Sequence, residues 1–96
     1  MVFYKLAETR HLVLEAKWYD MINAGIKKEE YRYGRIYDLM YQRWQKYDTI
    51  TFHRGYTKVT CEFVLDGMSP YHEGKPEWGA PEDVDYYTIF LGKRVR

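Results

Sequence analysis

The sequence is short of cysteine and proline and has almost no excess of either charge. It holds one cysteine and three prolines, and fifteen lysines and arginines against fourteen aspartates and glutamates leave a formal net charge of +1. A lone thiol, Cys61, excludes an internal disulfide. A near-zero net charge argues against a long-range grip on nucleic acid, which scales with the number of phosphates neutralised, so any such binding must be local. No apolar run approaches the roughly 20 residues that span a bilayer, because charges interrupt every candidate. A membrane role therefore has no support. No basic, apolar and small-residue leader opens the chain, and the expected location is the cytoplasm. Repeats, low-complexity tracts and charge blocks are absent as well.

What is present is the material of a core. The 96 residues are 46% apolar and 19% aromatic, outside the regime that leaves chains disordered, and the length suits one domain spanning 1–96. Eleven tyrosines and three tryptophans offer contact area with a polar handle, which suits a surface or cleft. His11 to Glu15 reads as a strand, followed by helical spacing of Leu14, Trp18, Met21 and Ile22 up to Gly25, a residue fitted to end a helix. Ile26 to Tyr33, bounded by Gly25 and Gly34, reads as a second strand. Ile36, Leu39, Met40, Trp44 and Tyr47 recur at three- and four-residue steps and predict an amphipathic helix over Arg35 to Lys46.

Asp48 to Arg54 and Lys58 to Asp66 alternate about a turn at Gly55 and predict a hairpin, and Asp85 to Leu91 supplies a last strand ahead of the basic residues Lys93, Arg94 and Arg96. Between them, Gly67 to Asp85 carries all three prolines and reads as one long loop, the kind of segment that often contributes to a site. Five strands and two helices in this order predict an α+β domain whose sheet curls towards a small barrel.

The segment after the first helix carries five charges in six positions, Lys27 to Arg32. On a strand Glu30 and Arg32 share a face, and Lys27 at the corner can swing towards them. A lysine, a carboxylate and a guanidinium so placed can fix the polar edge of a ligand. The plainer reading is a charged edge strand whose lysines and glutamates deter edge pairing.

Gly25, Lys27, Glu30 and Arg32 fit the spacing G-x-K-x-x-E-x-R, and in this the chain resembles the ASCH family of the PUA-like superfamily. The resemblance extends to Trp18-Tyr19-Asp20-Met21-Ile22, to Tyr47 through Phe52, to Gly74 through Pro81 and to Tyr86 through Gly92, and so covers nearly the whole chain. It implies a PUA-like β-barrel in which Gly25, Lys27, Glu30 and Arg32 belong to a cleft between barrel and helices, and it makes RNA, a single nucleotide or a modified base the leading ligand class. Aromatic rings would complete a base pocket. Tyr31, Tyr56 and Trp78 are the candidates, with Trp18 and Trp44 set aside as members of apolar helix stripes.

Some ASCH proteins resemble amidohydrolases of acetylated cytidine that use a threonine, a lysine and a carboxylate. This chain has Glu30 two residues before the arginine where that threonine is expected, so a hydrolase would need Lys27 with Glu30 or Glu62 acting on a water. A third alternative is a protein-interaction module that docks through the long loop. His11, His53 and His72 show no paired ligand spacing, so no metal and no cofactor are assigned, and Cys61 reads as core.

Overall fold

The computed structural model describes residues 8–96, so the opening residues, on which the leader reading falls, lie outside the described residues. The chain runs β1 (Thr9–Leu14), α1 (Ala16–Asn23), β2 (Glu29–Arg32), α2 (Arg35–Arg43), β3 (Thr49–Arg54), β4 (Thr60–Ser69) and β5 (Tyr87–Arg94), with single 3₁₀ turns at Trp44–Lys46 and Pro76–Trp78. The five strands form one curled half-barrel sheet in the order β1-β3-β4-β5-β2, an α+β fold as the sequence pattern predicts. β1 and β3 pair in parallel; every other neighbouring pair is antiparallel, including the β3–β4 hairpin.

Alternation sets the two faces. Leu12 and Leu14 of β1, Ile50 and Phe52 of β3, Cys61 of β4 and Ile89 of β5 point to one side and are nearly or wholly buried. Tyr19 and Ile22 of α1 cap them, three residues apart and hence on one helix face. Each such apolar side chain contributes about 1.5–3 kcal/mol through burial. Cys61 is a free, buried thiol, and burial pushes its pKa up, which fits a core group.

Helix α1 stops where a left-handed residue follows. Gly25 has φ +79°, its N–H donates to the Ile22 carbonyl at 3.0 Å, and the Ile26 N–H donates to the Met21 carbonyl at 2.9 Å, the paired closure of a Schellman end. The Lys27 N–H shares the Met21 carbonyl at 3.1 Å. The turn therefore fixes where Lys27 leaves the helix.

β4 runs longer than the alternation predicts. Gly67, Met68 and Ser69 pair with Phe90, Ile89 and Thr88 of β5, and register shifts between Phe63 and Leu65 and between Leu65 and Gly67 break the simple pattern. The loop predicted over Gly67 to Asp85 is thereby shortened to residues 70–86. Among the described residues no helix is long and apolar enough to cross a membrane.

Candidate functional site

β1 and β2 are the two edges of the sheet, and the curl brings them within reach of one side chain. Arg32 of β2 donates from one terminal nitrogen to the Val13 carbonyl of β1 at 2.7 Å, from the other to the Tyr37 hydroxyl at 2.8 Å, and from Nε to Glu30 Oε2 at 2.6 Å. A guanidinium thus stitches a seam that backbone pairing leaves open. A cleft of about 360 Å³ opens along that seam. Its walls are Val13 and Leu14 of β1 with Glu15 just after it, Trp18 of α1, Lys27 ahead of β2, Glu30 to Arg32 on β2 with Tyr33 just after it, and Gly79 and Pro81 of the long loop.

Glu30 is the centre of the charge network. Its Oε1 lies 3.0 Å from Lys27 Nζ while Oε2 takes Arg32, so each oxygen faces one cation. Glu30 is 4% exposed and Lys27 2%. Lys27 Nζ also donates to the Trp78 carbonyl and lies over the Trp18 and Tyr31 rings, 4.6 and 5.2 Å from their centroids. Burial holds the Lys27 ammonium below its usual range, with Glu30 acting in the opposite sense. Burial also opposes the Arg32 charge, but Glu30 and Tyr37 outweigh it and leave the guanidinium more firmly protonated than usual.

Glu15 and Glu30 stand against Lys27 and Arg32 in the lining, so the charges of the cleft balance. A guanidinium has five N–H groups, and the contacts to Glu30, Tyr37 and Val13 use three of Arg32's.

The loop segment 74–81 forms the far side of the cleft by close steric fit. A Cβ on Gly79, whose φ is +93°, would meet the Trp18 ring at 2.9 Å, and a Cβ on Gly74 would meet the Tyr31 ring at 2.5 Å. The Tyr31 hydroxyl donates to Glu29 at 2.9 Å and accepts from the Lys75 N–H at 3.0 Å. Burial pushes its pKa well up. Tyr31 therefore fastens the loop with its hydroxyl while its ring backs Lys27.

The structure brings Lys27, Glu30, Tyr31 and Arg32 together in the cleft, with Gly25 as the turn that delivers them. Tyr56 does not join them. It sits at the β3–β4 turn, 99% exposed, and is absent from the lining. Trp78 contributes its carbonyl to Lys27, while its ring lies under Lys75, 4.3 Å from Nζ. Glu62 lies elsewhere in the sheet, its carboxylate taken by the Thr49 hydroxyl at 2.5 Å and Arg96 at 2.7 Å. Trp18 packs against the core, as its helical stripe predicts, but it is only half-buried and also walls the cleft, because its side of α1 meets the loop at Gly79. Helical spacing shows which residues share a face, but not what covers that face. Tyr37 and the Val13 carbonyl were invisible in the same way, since only the curl of the sheet brings them to Arg32.

A second cavity, of about 370 Å³, lies between α2 and the loop, lined by Gly34, Asp38, Pro70, His72, Asp85, Tyr86 and Tyr87. Its carboxylates are well exposed or occupied: Asp38 accepts from the Tyr87 hydroxyl at 2.7 Å. Among the described residues the seam cleft combines buried opposite charges with an open face, and for that reason we place the candidate site there.

Protein-family models, curated proteins and solved structures contain no match to this chain.

Proposed function

We propose that this chain is an ASCH-type binding domain of the cytoplasm that accommodates a nucleotide or a splayed base of single-stranded RNA in the seam cleft. The observation that carries the reading is the Lys27–Glu30–Arg32 network, buried yet bordering an open cleft beside the Trp18 ring. In this reading Glu30 accepts from a base amine or imine, Arg32 orients Glu30 and donates to the ligand's oxygen edge, and Lys27 meets a phosphate or carbonyl oxygen. Trp18 offers the stacking face, worth about 1–3 kcal/mol per base.

Fluorescence anisotropy of labelled single-stranded RNA at about 50 and about 200 mM salt tests this directly. Neutralising one or two phosphates predicts a roughly three- to sevenfold loss of affinity over that range. Arg32→Lys, which keeps the charge but loses the fork, and Trp18→Leu should each weaken binding about tenfold or more. Affinity indifferent to salt and to both substitutions would overturn the reading and assign the surface to a protein partner.

One observation favours a second reading, hydrolysis of an acylated nucleoside. A lysine held below its usual range beside a carboxylate is the arrangement that acid–base chemistry needs. Glu30 stands where a threonine nucleophile would be, so water would attack, and release of free nucleoside followed by chromatography decides the matter.

A further inference from the structure

The sheet face opposite the core carries a row of polar groups unconnected with the cleft. Thr9 and Thr51 share a hydroxyl hydrogen bond at 2.7 Å, and Glu62 is held by Thr49 and Arg96. The two histidines on this face are left to one another. His11 Nδ1 and His53 Nε2 lie 2.8 Å apart, with the rings tilted by 47° and their centroids 5.0 Å apart. Among the described residues each ring has its only hydrogen bond with the other.

The sequence hides this pair because 42 positions separate its members. Parallel pairing of β1 and β3 sets His11 opposite Thr51 and His53 opposite Val13, which makes the histidines diagonal neighbours on one face. Their backbones are fixed by the sheet, His11 is exposed and His53 partly so, and neither ring is wedged into the core. Each can pivot about its own side-chain torsions.

We propose that His11 and His53 form a two-nitrogen chelate for a divalent ion that favours tetragonal coordination, copper(II) or nickel(II), with water in the remaining positions. With metal–nitrogen bonds of about 2.0 Å, a right angle at the ion puts the two nitrogens about 2.8 Å apart, whereas a tetrahedral angle puts them about 3.3 Å apart. The observed 2.8 Å is that of a direct hydrogen bond between the rings, so the two nitrogens lie within chelating reach of one ion once both rings pivot to turn their lone pairs onto it. Imidazole nitrogen is a favoured donor for these ions. Both nitrogens must present lone pairs, so the ring that donates the shared hydrogen bond moves its proton to its other nitrogen, a tautomer change with no net proton loss. Among the described residues no group of three or more His, Cys, Asp or Glu side chains is placed to hold an ion, so of these residues the histidine pair is the ligand set proposed.

Isothermal titration of the full chain without added histidines tests the site, with nickel(II), copper(II) and zinc(II) as probes. The expected result is one nickel ion per chain, bound at least about tenfold more weakly after His11→Ala or His53→Ala and unchanged after His72→Ala. His53→Gln, which keeps a hydrogen-bonding side chain, should lose the site equally, and circular dichroism confirms that each variant is folded. Copper should bind more tightly than zinc. No nickel binding by the native chain, binding that survives both histidine substitutions, binding that follows His72, or zinc tighter than copper would each overturn the proposal.

Discussion

Glu30 and Glu62 are both buried carboxylates on strands of one sheet, each bonded to an arginine, and they are held in opposite ways. Glu62 is closed off by neighbours of its own face, Thr49 at 2.5 Å and Arg96 at 2.7 Å. The Thr49 hydrogen bond, against the effect of burial and with help from Arg96, holds its carboxyl below the usual range. Glu30 instead sits between two cations, the buried Lys27 and the partly exposed Arg32, and it borders an open cleft. A carboxylate satisfied by its own sheet is a structural group; one that holds a buried lysine and a partly exposed arginine at a seam is the group on which the proposed ligand site rests. Sequence reasoning offered both as candidate bases, and the surroundings separate them.

The strongest way to break the comparison is Glu30→Ala. Removing it leaves the buried Lys27 and the partly exposed Arg32 without their counter-charge, and loss of one partner of a buried pair such as Lys27–Glu30 costs about 3–5 kcal/mol. Urea unfolding should show that loss, and a change below about 1 kcal/mol would mean that the network is solvated rather than buried. Glu30→Gln keeps the shape and should fall between the native chain and Glu30→Ala.

Next comes Gly79→Ala. The new methyl meets Trp18 at 2.9 Å and the residue must hold φ +93°, so a destabilisation of about 1–3 kcal/mol is expected, together with a shifted tryptophan emission. An unchanged emission spectrum would show that the loop does not pack on Trp18.

Glu62 sharpens the contrast through pH. Its folded pKa lies below the ordinary value, so the folded state binds fewer protons than the unfolded state in the window between the two. Its contribution is present above the ordinary carboxylate range of about 4.3 and is lost as pH falls through the lowered folded value. Glu62→Gln should therefore lower stability at neutral pH and flatten the acid limb of a pH–stability curve. A parallel displacement of the whole curve would contradict the assignment.

The smallest effect belongs to Asp20→Asn. Asp20 and Arg54 form an exposed pair at 2.9 and 3.1 Å, and such pairs are screened by water and salt, so the thermal midpoint should stay within error.

Where local chemistry decides the outcome, the sequence was legible. Gly25 ends α1 as its position predicts, the β3–β4 hairpin follows its alternation, and Lys27, Glu30 and Arg32 converge because a helix end and a period of two place them so. What depended on the third dimension was not. The parallel β1–β3 pairing, the reach of Arg32 to Val13, the loop resting on Trp18 and the meeting of His11 with His53 all arise from contacts between segments far apart in the chain. Tyr56 shows the converse, since a tyrosine next to a turn glycine carries no signal of whether it faces a cleft or water, and it faces water.

The most direct test of the seam cleft as the ligand site is an amide and indole NMR titration of the native chain with single-stranded RNA. The account predicts shifts at the Trp18 indole N–H, at the amides of Lys27 through Tyr33 and at Gly79, with the amides of His11, His53 and Tyr56 unmoved. Shifts confined to the outer sheet face, or binding that leaves Trp18 and β2 untouched, would contradict it.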